Sequence, residues 1–212
     1  QALVNIKMEQ QEQQLENIQT DSSPIPEDKT SSGWLSVIMD ILETLLLSVV
    51  LFLGINAISA RVRVEGSSME PSFHDGEFVI VSRLDYRFIG SPDYGDVVVF
   101  HYPGNPDEEY IKRIIGQHGD HVRIADGSVY VNGHLLDEAY ISDNPKYTGE
   151  WDVPAEHLFV LGDNRNNSSD SHSWGPLPIE NVIGRAVFVY WPFSDWGVIS
   201  PVNSINDPIS QP

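Results

Sequence analysis

Cysteine is absent from this chain of 212 residues. The absence excludes disulfide bonds, catalysis by a thiolate and zinc sites that use cysteine ligands. It leaves a location outside the cytoplasm open, because hydrophobic residues make up 41% of the chain and a core of adequate size needs no disulfides.

Basic residues are also scarce. The chain has 12 Lys and Arg against 31 Asp and Glu, which gives a formal net charge of −19. Nucleic acid is therefore not predicted as a partner, since binding to phosphates needs a basic surface. His101, His118 and His121 show no familiar zinc-binding spacing, so the sequence predicts neither a metal nor a cofactor.

Long apolar runs are confined to one place near the N-terminus. Residues 1–33 are polar, and they are predicted to be a disordered tail because they bury too little apolar surface to offset the entropy of ordering. Residues 34–59 exceed the roughly 20 residues needed to cross a bilayer. Asp40 and Glu43 are unfavourable there, although charges near one end can reach the headgroups. The segment is predicted to be a single-pass membrane anchor helix.

Two other interpretations of this apolar run remain open. It resembles a cleaved signal peptide in having small residues before Ala60, but it is long and follows an acidic region. A buried core helix is the second alternative. Local charge does not favour an inside N-terminus, because Lys7 and Lys29 precede the run while Arg61 and Arg63 follow it.

Residues 60–198 have a different pattern, with β-branched residues and a period of two that indicate strands. Asp126-Gly127 and Asn132-Gly133 supply the positive φ angles of tight hairpin turns. No alternation of strands and helices is present, so the predicted fold is a mostly antiparallel β domain. Residues 199–212 are predicted to be a C-terminal tail. The predicted strands are Phe78–Val81, Val97–Phe100, Tyr110–Ile115, His121–Ile124, Val129–Val131, His134–Leu136, His157–Leu161 and Val182–Tyr190.

Three segments of this domain carry polar residues that suit catalysis: Gly66–Phe73, Tyr110–Gly116 and Gly162–Ser171. Each has an ordinary explanation when taken singly. The first is typical of a solvated turn, and Lys112 in the second fits a strand residue whose ammonium reaches water. The third fits a loop held by pairing between Asp and Arg, or a calcium site, although it lacks the EF-hand spacing.

Taken together and in this order, the segments resemble the type I signal peptidases, also called leader peptidases. The resemblance runs from the apolar segment to about Pro192. It rests on Gly-x-Ser-Met-x-Pro, Gly-Asp-Val-Val-Val-Phe, Tyr-Ile-Lys-Arg and Gly-Asp-Asn-Arg-x-x-Ser-x-Asp-Ser. The family resemblance implies a membrane-bound serine endopeptidase with a Ser/Lys dyad.

The resemblance also implies a role for each matching residue. Ser68 matches the nucleophile, and its backbone N–H matches a donor of the oxyanion hole. Lys112 matches the general base, and Ser168 matches the serine whose hydroxyl holds the lysine amine. Asp170 and Arg165 match residues that brace this loop.

At two positions, 66 and 172, the residue differs from the one found in some or all members of the family. Gly66 stands where some relatives add a serine hydroxyl to the oxyanion hole, so a side-chain donor is absent there. His172 replaces the arginine that follows Asp-Ser in the family. A Ser–His–Asp triad of Ser68, His172 and Asp170 is the alternative to the dyad.

The chemistry of the dyad requires an uncharged lysine. A serine hydroxyl becomes an effective nucleophile when a base removes its proton, whereas a lysine at its reference pKa of about 10.4 is charged at neutral pH. Burial among apolar residues lowers the pKa of an amine, and Lys112 lies between Ile111 and Ile114 in the sequence. Arginine could not replace it, because a guanidinium stays protonated.

The resemblance further implies that the substrates are secreted preproteins, cut after a small residue. Shallow apolar pockets accept alanine and exclude larger side chains by steric clash. The lipid bilayer is the other predicted partner, with the catalytic domain on the outer face of the cell membrane. Two other classes stay open: a self-cleaving Ser/Lys protease of the repressor type, and an anchored β domain that only binds. The residues that match the pocket walls are Val64, Met69, Phe73, Tyr110 and Ile111.

Overall fold

The computed structural model describes residues 33–84, 86 and 91–202. The predicted tail of residues 1–33 lies outside the described residues except for Gly33, and residues 203–212 also lie outside them. The chain divides into two units, residues 1–52 and 53–212.

The first described element is helix α1 (Gly33–Ile58), and every side chain on it is exposed. The helix is long and apolar enough to cross a membrane. Its hydroxyl groups are satisfied within the helix: Thr44 Oγ1 donates to the carbonyl of Asp40 at 2.7 Å, and Ser48 Oγ donates to the carbonyl of Thr44 at 2.7 Å. These bonds suit an apolar environment, where an unsatisfied polar group is costly.

The second unit is built from antiparallel sheets, which confirms the predicted fold class. An eight-stranded sheet has the order β1-β2-β11-β3-β4-β9-β10, with β12 paired to β11. A four-stranded sheet has the order β7-β6-β5-β8. The strands are β1 (Ser59–Arg63), β2 (Phe78–Ser82), β3 (Val97–Tyr102), β4 (Asn105–Gly116), β5 (His121–Ala125), β6 (Ser128–Val131), β7 (His134–Leu135), β8 (Gly149–Asp152), β9 (His157–Leu161), β10 (Leu177–Pro178), β11 (Val182–Trp191) and β12 (Gly197–Val198).

Three short helical turns occur among the described residues of the second unit. They are the one-turn helix α2 (Ser171–Trp174) and two 3-10 turns (Ile179–Asn181 and Phe193–Asp195). Helix α2 begins where the Asp170 side chain accepts a hydrogen bond from the backbone N–H of His172, an N-cap arrangement.

The predicted hairpins of the small sheet are present. Asp126 and Gly127 have φ angles of 52° and 75°, and Asn132 and Gly133 have 52° and 83°. Positive φ at both central residues is what a two-residue turn of this kind requires. The sequence analysis missed the fourth strand of this sheet, β8, because Gly149–Asp152 is polar and short.

Strand β4 contributes side chains to three apolar clusters, and these clusters hold it in the middle of the domain. Ile111 belongs to a cluster with Val99, Ile114 belongs to a second, and Ile115 belongs to a third under the small sheet. Lys112 lies between these anchored positions, directly opposite Val98 of β3. Packing on both sides therefore holds the backbone of β4 at this point.

Candidate active site

The predicted nucleophile and base meet in the structure. The Nζ atom of Lys112 lies 2.8 Å from the Oγ atom of Ser68, although 44 positions separate the two residues in the sequence. The same Nζ atom donates to the carbonyl of Ile111 at 2.8 Å. The amine is therefore oriented by a backbone acceptor and points at the Ser68 hydroxyl.

The environment of Lys112 favours the uncharged amine. The residue is 4% exposed, and its burial lowers the pKa from 10.5 to about 8, while the charges of Asp170 and Asp163 act in the opposite direction. Desolvation disfavours the charged ammonium, and its effect on the pKa is larger than that of the two carboxylates. The lowered pKa raises the fraction of Lys112 that is neutral near physiological pH above that of an exposed lysine.

The loop that carries Ser68 is held by the segment after β9. The backbone N–H of Asn164 donates to the carbonyl of Ser68 at 3.0 Å, and the Asn164 side chain donates to the carbonyl of Ser67 at 3.0 Å. The Asn167 side chain donates to Ser67 Oγ at 2.9 Å. Gly66 has a φ of 80°, which favours glycine, and its N–H donates to Asp75 at 2.8 Å. Sequence reasoning missed Asn164 and Asn167, although both lie in a segment that it singled out.

Ser168 lies close to the dyad. A Cβ atom on Gly162 would come within 2.2 Å of Ser168 Oγ and 2.4 Å of the carbonyl oxygen of Ser68, so glycine is required for this close approach. Ser168 Oγ is buried and has no hydrogen-bond partner among the described residues. The predicted bond between this hydroxyl and the Lys112 amine is not formed in this arrangement, and the assigned role stays a prediction.

Asp170 and Arg165 are both buried in the loop that follows β9. Asp170 accepts from the N–H of Gly162 at 3.0 Å. Arg165 donates to the carbonyl of Gly162 at 3.1 Å and forms a bidentate pair with Glu138. Burial works against the Arg165 charge, but hydrogen bonds and the charge of Glu138 outweigh it and raise the pKa of the guanidinium. Both residues therefore contact Gly162 in the loop next to the dyad, and their bracing role stays a prediction.

A second buried ion pair was not recognised from the sequence. Arg113 donates to Asp163 from Nε at 2.9 Å and from Nη2 at 2.6 Å, and its Nη1 donates to the carbonyl of Gly95 at 2.9 Å. The local pairing of Asp163 with Arg165 that the sequence suggested is not formed between their side chains. The sequence did contain an indication of this pair, because Arg113 directly follows the predicted base Lys112 in an apolar strand.

Among the described residues, the side chain hydrogen-bonded to the hydroxyl of the predicted nucleophile is a lysine and not a histidine. His172 Nδ1 lies 2.6 Å from Asp170 Oδ1, but no hydrogen bond within the described part of the chain joins His172 to Ser68. No group of three or more His, Cys, Asp or Glu residues suited to a metal ion occurs among the described residues. The geometry thus favours the dyad over the triad.

A cleft of about 690 Å³ opens beside the dyad. Two strand edges border it: among the described residues, β1 pairs with β2 alone, and β4 pairs with β9 from Arg113 onward. Tyr110 and Ile111 line the cleft, and their role in binding substrate stays a prediction. Val64, Met69 and Phe73 do not line it but are buried in the cluster that contains Ile111, so their role in substrate pockets stays a prediction. The lining residues are Arg61, Val62, Arg63, Glu65, Ser68, Asp107, Glu108, Glu109, Tyr110, Ile111, Lys112 and Ser169.

Comparison with known proteins identifies the family. The family described as "Signal peptidase, peptidase S26" matches residues 37–191. The chain is 40% identical over 192 residues to "Probable signal peptidase I-2" of Synechocystis sp., covering 87% of this chain and 86% of that relative. It is 43% identical over 175 residues to "Signal peptidase I" of Leptolyngbya laminosa, covering 78% of this chain and 86% of the relative.

A crystal structure of a signal peptidase I from Enterococcus faecalis is also similar, with 30% identity and a TM-score of 0.43, and it covers 45% of this chain and 97% of that chain. The family match extends over most of the chain, from within α1 through the end of β11. The protein belongs to the signal peptidase family, peptidase S26.

Proposed function

We propose that this protein is a membrane-anchored serine endopeptidase that removes N-terminal signal peptides from secreted preproteins, with Ser68 as nucleophile and Lys112 as general base. The observation that carries the proposal is the 2.8 Å approach of a buried lysine amine to a serine hydroxyl. A separation of this size lies within the range required for direct proton transfer.

The reaction follows from this geometry. The neutral Lys112 amine takes the proton of the Ser68 hydroxyl while Oγ attacks the carbonyl carbon of the scissile bond. The backbone N–H of Ser68 donates to the oxyanion that develops on the carbonyl oxygen. Lys112 then returns the proton to the leaving amine, which leaves an ester on Ser68. Water, deprotonated by the same amine, hydrolyses the ester and restores the free hydroxyl.

The surrounding residues support the dyad. Asp170 and Arg165 brace the loop against Gly162, and Ser168 Oγ, which lacks a hydrogen-bond partner among the described residues, takes up contact with the amine when the side chain rotates. Gly66 contributes a positive φ that shapes the loop before the nucleophile and adds no side-chain donor.

The substrate binds in the cleft as an added strand. The free edges of β1 and β4 offer backbone groups to an extended peptide, so the demands on side chains are small. Tyr110 and Ile111 limit the size of the residue before the cleaved bond, with Val64, Met69 and Phe73 packed behind that wall.

The anchor decides where the reaction takes place. Residues 34–59 span the membrane, residues 1–33 lie on the cytoplasmic side, and the peptidase domain of residues 60–198 lies on the outer face of the cell membrane. Helix α1 supports the span because it is apolar and fully exposed. Anchoring raises the effective concentration of substrates that are embedded in the same bilayer.

An exposed aromatic cluster supports contact with the lipid interface. Trp191, Phe193 and Trp196 are 48%, 67% and 60% exposed. The ring centroids of Trp191 and Phe193 lie 5.0 Å apart, and those of Phe193 and Trp196 lie 5.7 Å apart. Aromatic side chains of this kind are enriched where a protein meets the headgroup region.

The function is tested with the full chain in detergent and a purified preprotein. We expect a single cut after a small residue, identified from the N-terminus of the mature product by mass spectrometry. Changing that small residue from alanine to tryptophan in the substrate should lower kcat/KM by roughly 10- to 100-fold, because the pocket excludes the larger side chain. The same change ten residues downstream is the control and should have no comparable effect. Cleavage at scattered sites, or none at all, would contradict the proposal.

The rate should also depend on pH in a defined direction. The ammonium form of Lys112 predominates below its pKa of about 8 and cannot act as a base, so kcat/KM should rise with pH and reach half its maximum near pH 8. Initial rates between about pH 6 and pH 10 measure this. A midpoint close to that of free lysine, about 10.4, would show that the buried amine is not the base.

A further inference from the structure

His172 is held between a carboxylate and an aromatic ring beside the active site. Its Nδ1 atom lies 2.6 Å from Asp170 Oδ1, and its backbone N–H donates to the same oxygen at 3.1 Å. The imidazole stacks on the ring of Tyr147, with centroids 4.0 Å apart and an angle of 17° between the planes. The ring is thus fixed in both position and orientation.

Asp170 connects this histidine to the dyad. Its second oxygen accepts from the N–H of Gly162 at 3.0 Å. Gly162 in turn lies against Ser168 Oγ and the carbonyl oxygen of Ser68. The Asp170 charge also favours the ammonium form of Lys112, which is the form that cannot accept a proton. The position of this one carboxylate therefore affects both the loop geometry and the protonation of the base.

The other charged groups around these residues are already paired. Asp163 also favours the ammonium of Lys112, but it forms the bidentate pair with Arg113. Arg165 and Glu138, the charges nearest to Tyr147 besides Asp170, bind each other. Asp170 has no arginine or lysine partner among the described residues, and His172 is the side chain in contact with its carboxylate.

The Tyr147 hydroxyl is buried and has no hydrogen-bond partner among the described residues. Burial raises the pKa of this hydroxyl, so it stays uncharged. The ring face, and not the hydroxyl, is therefore the part of Tyr147 that acts on His172.

We propose that His172 is a positioning residue for the reaction: its Nδ1–H holds the Asp170 carboxylate against the Gly162 N–H, and the Tyr147 ring holds the imidazole in the orientation that this bond requires. The proposal rests on the proposed function, because it needs Lys112 to be the base. When the imidazole is removed, the carboxylate loses its side-chain donor, so hydrogen bonding compensates less of its negative charge. The ammonium of Lys112 then persists to higher pH.

The test compares pH–rate profiles of full-length His172→Leu and the wild type in detergent, with one preprotein substrate. We expect the midpoint of the rising limb to move up by about one pH unit in the variant. Activity should be about 10-fold lower at pH 7 and within about 2-fold of the wild type at pH 10, because the amine is neutral in both proteins there.

Two further variants separate positioning from general structural damage. His172→Gln keeps an N–H donor and should lie within about 0.3 pH units of the wild-type midpoint, since the carboxylate stays bound. His134→Leu changes an exposed histidine in β7 and should leave the profile unchanged. Tyr147→Phe should behave as the wild type, whereas Tyr147→Ala should shift the midpoint in the same direction as His172→Leu.

A loss of activity in His172→Leu that is equal at all pH values would overturn the proposal, and so would a midpoint identical to that of the wild type. A loss of several thousand-fold at every pH would instead identify His172 as the base of a triad. Failure of the proposed function has a different signature: the wild type itself would lack a rising limb near pH 8.

Discussion

Replacing Lys112 by methionine should lower kcat/KM by about 10³-fold or more. Methionine has a similar length and no proton acceptor of comparable basicity, so Ser68 loses the group 2.8 Å away that removes its proton. Cleavage of a preprotein by the full chain, followed over hours at pH 8 to 9, measures the loss. The fold should survive, because methionine suits a site in which the lysine is 4% exposed.

Two related variants sharpen this test. Lys112→Arg should be as inactive as Lys112→Met, since a guanidinium keeps its proton at any pH of interest. Ser68→Ala should also abolish cleavage. The double variant Ser68→Ala and Lys112→Met should lose no more than either single variant, because residues that act as a unit are not additive. Retention of more than about a tenth of the activity in Lys112→Met would contradict the dyad.

Replacing Arg113 by methionine should destabilise the β domain by about 3–5 kcal/mol. The change leaves the Asp163 carboxylate buried without its bidentate partner, and the side chain of Asp163 is 0% exposed. Unfolding in denaturant, followed by tryptophan fluorescence of the full chain in detergent, measures the shift of the midpoint. The expected loss is larger than the free energy that the ion pair itself contributes, because the variant leaves the Asp163 charge buried without a partner.

Two control variants accompany this test. One applies the arginine-to-methionine substitution to an exposed arginine, and the other removes both members of the buried ion pair. Arg83→Met removes an exposed arginine and should change the free energy of unfolding by no more than about 0.5 kcal/mol. Arg113→Met combined with Asp163→Leu should recover part of the stability, since no unpaired charge remains. If Arg113→Met were no more destabilising than Arg83→Met, the buried pair would have no structural role.

Local features were predictable because neighbouring residues determine them. The hairpins of the small sheet follow from Asp126-Gly127 and Asn132-Gly133, which adopt the positive φ angles that the turns need. The apolar run near the N-terminus forms one continuous helix, as its composition indicates. Strands β2 and β3 likewise lie where β-branched residues are concentrated, and β9 lies in a short apolar run. Strands β1 and β8 were missed because short polar edge strands lack that pattern.

The candidate site was predictable in its residues but not in its contacts. The motifs indicated Ser68 and Lys112, and in the structure Lys112 Nζ lies 2.8 Å from Ser68 Oγ. The motifs did not indicate that Arg113 binds Asp163 or that Arg165 binds Glu138, because 50 and 27 positions separate the partners. Nor did they predict the ring of Tyr147 on His172.

The class of this protein was predictable from its residues alone: a long apolar segment, a β domain, and a serine and a lysine in ordered motifs. Which charges are paired, and which amine has its pKa lowered, depends on how the chain folds. The physical reason is that the charge state of a side chain depends on how much water reaches it and which groups face it. Distant segments, β3, β4 and the loop after β9, supply those surroundings together when they pack.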